Sequence, residues 1–214
     1  MMQINLKKVG NLQCTADDDL DFSYLYFREK QCLVVDYNLN GKNNLNVFIV
    51  FRILEVPGAT LNGIFGNDNG GNSRFIAVMH NITPKELTIG VGSGRVDVFS
   101  FPSKANRTTL NFSVLSVHCN TSVENDSLVY CDGKYVANFT EETNTGSENT
   151  CSIGSVSSDP TNFTSQKHIA YFLLYHGRFS AKDIKIMHKY LCERYRIDHD
   201  PITTPELTVP NKYL

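Results

Sequence analysis

The feature that most constrains this chain is the length of its apolar runs. They are short, rich in β-branched and aromatic residues, and cut off by Asn/Gly turn signals. The longest, Val47–Phe51 and Ile169–Tyr175, are strand-sized. The same reading covers Cys32–Asp36, Asn46–Leu54, Phe75–His80, Glu86–Val91, Arg95–Phe101, Thr109–His118, Leu128–Cys131 and Tyr135–Phe139. Asn67–Asn72 and Gly90–Gly94 supply residues that accept positive φ in tight turns. Asp132-Gly133, between Val129–Cys131 and Lys134–Val136, is a type I′ hairpin signal. Many short strands at close intervals predict an all-β sandwich or barrel rather than an α/β sheet. No apolar run approaches the ~18–20 residues that a membrane-spanning helix needs.

One helix interrupts this pattern. Ser180 is a good N-cap, with Asp183 in the capping-box position. Ile184, Met187, Leu191 and Tyr195 then form one apolar stripe, and the helix should end by about Arg196. Residues 198–214 hold three prolines and little apolar material, so they read as an extended tail that could lie along a neighbour through Leu207, Val209 and Tyr213. Residues 1–197 then form a single domain. Residues 140–160, rich in Ser, Thr, Asn and Gly, read as a long surface loop.

A chain of 214 residues can bury a sizeable core without staples. Its 13 Phe and 10 Tyr supply the bulk that the absent Trp does not. A formal net charge of −2 argues against nucleic acid, whose phosphates demand clustered Lys and Arg. Seven glycosylation sequons, at Asn81, Asn106, Asn111, Asn120, Asn125, Asn138 and Asn162, exceed the roughly three expected by chance. Six cysteines, Cys14, Cys32, Cys119, Cys131, Cys151 and Cys192, make an even set suited to an oxidising compartment. Sequence cannot choose among the many pairings. One arrangement joins Cys119 to Cys131 across a strand-loop-strand and Cys14 to Cys32 along the N-terminal arm, leaving Cys151 with Cys192. Together these features favour a secreted, extracellular glycoprotein. The opening MMQINLKKVG lacks the apolar core of a signal peptide, so either the chain is a mature or trimmed form, which is the preferred reading, or the protein is intracellular and its sequons are idle.

The segment from Asn46 to Ile197 resembles the concanavalin A-like/laminin G-like jelly-roll superfamily. Val47–Arg52 looks like its first central strand, and Leu61–Gly70 with Arg74-Phe75 like the hairpin that follows. Leu128–Val136 is similar to the family's hairpin with a Gly-containing turn. Ile169–Tyr175 running into Gly177–Ile184, then Tyr190, Leu191 and Tyr195, resembles the closing strand and short helix. The resemblance implies a two-sheet antiparallel sandwich to which residues 1–45 add outer strands. Such domains bind glycans, proteoglycans or proteins, or act as spacers. Some bind calcium at loop Asp and Asn, and some hydrolyse glycosides.

The residues themselves speak against catalysis. A glycosidase needs two carboxylates close together, and on a strand these sit at alternate positions. No such pair occurs here: Glu141-Glu142 fall in a loop, and Glu55 and Glu86 stand alone. His118 and Cys119 are adjacent and should point to opposite faces of a strand. His188 and Cys192 share a helix face, which is half a metal site or simply a packed helix. Asp17, Asp18, Asp19 and Asp21 form an acidic knot, and Asn67, Asp68 and Asn69 lie in a glycine-rich turn; calcium is the cation either cluster would take. Asn67, Asp68, Asn69 and Arg74 are the candidate ligand-binding residues. The expected function is non-catalytic recognition or adhesion, binding glycan or protein through loops. The alternative is a structural or matrix protein that co-assembles through its tail and sheet face, and a glycoside hydrolase-like enzyme is the weaker third.

Overall fold

The computed structural model describes residues 6–10, 12–17, 21–40, 42, 44–54, 61–68, 76–81, 86–91, 94–100, 112–120, 127–139, 150–159 and 166–197. Among the described residues fourteen strands form two seven-stranded sheets. In spatial order the first sheet holds β1 (Leu6–Val9), β4 (Cys32–Val35), β13 (Cys151–Ile153), β6 (Leu61–Gly66), β7 (Ile76–Asn81), β8 (Glu86–Val91) and β9 (Gly94–Ser100). The second holds β12 (Lys134–Phe139), β11 (Ser127–Cys131), β10 (Ser113–Cys119), β5 (Leu45–Ile53), β14 (Lys167–His176), β3 (Phe22–Phe27) and β2 (Gln13–Asp17). Every strand pairing is antiparallel. Helix α1 (Ala181–Arg194) lies on the outer face of the second sheet.

The central strand β5 explains the architecture. Leu45, Val47, Ile49 and Phe51 alternate into the core between the sheets, where they meet Val35, Ile64, Phe65, Val78 and Leu115. Phe48 and Val50 point the other way and pack beneath α1 with Val114 and Leu191. Both faces of β5 are covered, so it reads as a continuous apolar run instead of an alternating one. In β14 a bulge at Ala170, between the Ile169–Phe51 and Tyr171–Val50 pairs, shifts the alternation by one residue. Ile169 and Phe172 therefore both face the inner core.

Helix α1 begins as its sequence dictates. The Ser180 hydroxyl accepts from the Asp183 backbone N–H, and the Asp183 carboxylate accepts from the Ser180 N–H. The Asp132-Gly133 turn has φ of 48° and 78°, the left-handed pair a type I′ hairpin needs. Gly90–Gly94 also joins a hairpin, β8 to β9, with Val91 opposite Gly94.

Two expectations are corrected. Residues 151–157 are not part of a surface loop: all are buried, and β13 sits centrally in the first sheet between β4 and β6. The cysteines form no disulfide. Cys131 stands opposite Leu115, four residues from Cys119 along β10, a separation of about 13 Å. A disulfide tolerates a Cα separation only up to about 7 Å. Cys14 and Cys32 belong to different sheets. Cys151 lies in the core between the sheets, while Cys192 lies beneath the helix on the far side of the second sheet. Burial pushes the Cys151 thiol up to about 12. The tail from 198 to 214 lies outside the described residues.

Candidate functional site

Register assembles a polar and aromatic row on the part of the second sheet's outer face beyond α1. Gln13 of β2 stands opposite Tyr26 of β3, Tyr26 opposite His168 of β14, and His168 opposite Arg52 of β5. Four strands from distant parts of the chain thus set one transverse line of side chains, since directly paired residues share a face. Tyr24, two residues along β3, stacks on the His168 ring with centroids 4.2 Å apart and planes 17° apart. Tyr26 meets the same imidazole edge-on at 5.0 Å.

Arg52 is held from three directions. Its guanidinium carbon lies 4.7 Å from the Phe112 ring centroid and 5.6 Å from that of Tyr24. Its Nε donates to His168 Nδ1 at 3.1 Å, so that nitrogen carries no proton and the imidazole is neutral with its hydrogen on Nε2. The rim is more accessible. The Tyr26 hydroxyl donates to Gln166 Oε1 at 2.8 Å. Arg28, exposed, stands over the Tyr26 ring at 5.7 Å, with Nη2 3.5 Å from Gln13 Oε1. Tyr24, Phe112 and His168 are the buried floor, and Gln13, Tyr26, Arg28, Arg52 and Gln166 form the half-buried to exposed rim. The floor is covered, so a ligand would meet the Tyr26 ring and the amide and guanidinium groups of the rim, which can bond its polar substituents. Beside it β3 parts from β14 beyond Ile169, opening an apolar cleft of about 190 Å³ lined by Cys14, Leu25, Leu33, Ile153 and Phe172 among others.

A second cluster has the residue types of a nucleophile site, but it is sealed. Ser116 of β10 lies between two imidazoles, 2.8 Å from His118 Nε2 and 2.6 Å from His188 Nε2. His118 Nδ1 is 2.9 Å from Asn46 Oδ1, and His188 Nδ1 accepts the Gly133 N–H at 3.3 Å. Ser116 is completely buried beneath α1, and no substrate reaches its hydroxyl. His118 and Cys119 do face opposite ways, Cys119 into the inner core. His188 and Cys192 are both buried parts of a packed helix face.

The residues singled out from sequence lie elsewhere. Asn67 and Asp68 are buried at the end of β6; Asn67 Nδ2 donates to Asn40 Oδ1 at 3.0 Å and the Asp68 N–H to Val156 O at 2.7 Å. Asn69 and Arg74 lie outside the described residues. In the acidic knot Asp17 ends β2, Asp21 is exposed, and Asp18 and Asp19 lie outside the described residues. Among the described residues no three His, Cys, Asp or Glu converge as a metal site. Of the sequons, Asn138 is exposed on edge strand β12, Asn120 is half-buried, and Asn81 closes β7. Asn106, Asn111, Asn125 and Asn162 lie outside the described residues. The row across β2, β3, β14 and β5 carried no local signal, because its members are far apart in sequence.

No protein-family model matches the chain. No curated protein matches it either. Solved structures do. A structure of botulinum neurotoxin type C, described as depending on two ganglioside molecules for cell entry, superposes with a TM-score of 0.65 at 15% identity over 88% of this chain and 46% of its own. The binding domain of botulinum neurotoxin DC in complex with rat synaptotagmin II gives 0.64 at 16% identity, covering 88% and 47%. The same toxin's binding domain in complex with SialylT gives 0.63 at 15% identity, again covering 88% and 47%. The chain thus spans about half the length of these solved chains. At such identity the likeness is one of fold: a two-sheet β-sandwich.

Proposed function

We propose that this chain is a non-catalytic recognition domain of concanavalin A-like type that binds glycan on the outer face of its second sheet. The observation that carries the reading is the Gln13–Tyr26–His168–Arg52 row, with Arg28 and Gln166 at its rim. The half-buried Tyr26 ring offers a platform for the apolar face of a sugar, while amides and guanidinium groups offer directed bonds to hydroxyl or carboxylate groups. Solved structures of similar fold, described with gangliosides and SialylT, support a glycan as the ligand class. The segment that holds Asn67, Asp68, Asn69 and Arg74 is a second, separate contact in this proposal, with calcium as its cation; with Asn67 and Asp68 buried, that contact falls to Asn69 and Arg74. The excess of sequons, with Asn138 exposed on an edge strand, supports an extracellular setting. A glycan array with sialylated and neutral probes, read with calcium and with chelator, tests it. Arg28→Ala and Tyr26→Ala should weaken a positive signal at least tenfold, about 1.4 kcal/mol. Binding that survives both substitutions, or no glycan binding at all, removes the outer-face site.

One observation favours a protein partner as the second reading. Ile186 and Tyr190, exposed at 56% and 54%, are neighbours one turn apart on the outer side of α1. Such a ridge suits co-assembly with another protein, and the complex with synaptotagmin II gives a precedent among similar folds. Ile186→Asp would abolish co-assembly without touching the glycan row.

A further inference from the structure

We infer that helix α1 is an acid-releasable cover over the second sheet, with the buried His188–Ser116–His118–Asn46 chain as its latch. The direction of every hydrogen bond in that chain follows from its two ends. Asn46 Nδ2 donates to the backbone carbonyls of Asn44 and Gly177, so its Oδ1 is the acceptor that faces His118. His118 therefore carries its hydrogen on Nδ1 and accepts through Nε2. At the other end the Gly133 N–H points at His188 Nδ1, which fixes the His188 hydrogen on Nε2. His188 then donates to Ser116 Oγ, and the Ser116 hydroxyl donates to His118 Nε2. Both imidazoles must be neutral for this order to hold.

An added proton breaks the order wherever it lands. On His188 Nδ1 it faces the Gly133 N–H, donor against donor. On His118 Nε2 it turns Ser116 Oγ into an acceptor from both rings and leaves the serine hydrogen with neither imidazole to receive it. Ser116, His118 and His188 are all buried, and burial disfavours a cation. Phe48 of β5 and Tyr130 of β11 pack against both rings, with Phe179 before the helix behind Phe48 and Tyr135 of β12 behind Tyr130. On α1 itself Lys185 and Lys189 flank His188, with Cys192 one turn on; Lys134 is exposed at the start of β12, and His176 and Arg178 precede the helix. Asp132, whose carboxylate accepts the Val114 N–H next to Gly133, is the acidic group at this end of the chain. It works against release.

The acid dependence has a definite sign. Burial first, and then the neighbouring His188, push His118 down to about 3 from its ordinary 6.5. Between those values the released form binds a proton that the docked form refuses, so falling pH favours release. Release uncovers Phe48, Val50 and Val114, the apolar floor beneath the helix.

Hydrogen exchange of the full chain at pH 7.5 and pH 5.0, corrected for intrinsic exchange, tests this. For one linked proton of ordinary affinity, α1 amides should exchange about 30-fold faster at the lower pH, while β4 and β13 keep their protection. His118→Asn and His188→Gln keep polar atoms near the bonded nitrogens without titrating, and together they should remove the acid response. Imidazole nitrogen NMR of the unaltered protein gives a readout independent of those variants: His118 protonated on Nδ1 and His188 on Nε2, both neutral at pH 6. Uniform loss of protection across both sheets, an α1 indifferent to pH, or a charged ring beneath a docked helix would each overturn the inference.

Discussion

Single residues in this protein are governed by which side of a sheet they occupy. The cysteines illustrate it best. Their even number and the sequons around them suggest disulfides, yet partners that look convenient along the chain fall on different sheets, on opposite sides of one sheet, or, for Cys119 and Cys131, too far apart along the same face. Five of the six are buried, and Cys14 alone is exposed. Native protein should therefore react with a thiol reagent at one rapid equivalent, rising to six after denaturation. Protection of Cys14, or fewer than six equivalents in denaturant without reductant, would restore a disulfide. Residue chemistry was legible in the sequence; residue neighbourhoods were not. Ser116, His118 and His188 are unremarkable apart, and only the docking of α1 onto β10 makes one chain of them.

At the scale of elements, local rules performed well where local physics decides. Helix α1 starts at its Ser180 cap because that side chain satisfies an N–H that the first turn leaves open. Ser180→Ala should cost about 1 kcal/mol in urea unfolding, and Ser180→Asp, which retains a cap acceptor, should recover most of it. An unchanged midpoint for the alanine variant would mean tertiary packing alone sets the helix start. The hairpin at Asp132-Gly133 was equally plain, since few residues other than Gly, Asn and Asp accept its dihedrals. β13 was missed for the opposite reason. Ser152, Ser155 and Ser157 suggest a solvated loop, but they are buried, and Cys151–Ile153 gains its strand conformation from ladders to β4 and β6. Composition reports average solvent preference and cannot register a strand recruited by its neighbours. Part of the N-terminal arm, β1 to β3, was hidden in the same way, its strands short and interleaved with polar residues.

Across the whole molecule, one lysine ties the two sheets together. Lys167 enters the inner core from β14, and its Nζ donates to the backbone carbonyls of Gly63 and Gly154 in and beside the first sheet. Gly154 has φ of 88°, and a Cβ there would run into the Phe27 ring, so the site requires glycine. Burial pushes the Lys167 amine down to about 7 from its usual 10.5. Above pH 7 the folded chain holds a neutral amine while the unfolded chain still binds the proton, so stability from this group rises with pH up to about 10.5. Lys167→Met should destabilise by about 1–3 kcal/mol for each carbonyl left without its donor, with a larger loss at pH 9 than at pH 6.5. Urea melts of both proteins at the two pH values measure the difference, and equal losses would show that the amine is not titrating as described. From the sequence alone came the all-β class, the strand-sized runs, the capped helix and the hairpin turns, because each depends on side chains a few residues apart. Tertiary structure decided the rest: the register that lines up Gln13, Tyr26, His168 and Arg52, the sealing of the histidine chain, and the burial of Lys167. Those depend on contacts between distant segments, and a one-residue slip in pairing would turn every one of those side chains to the other face.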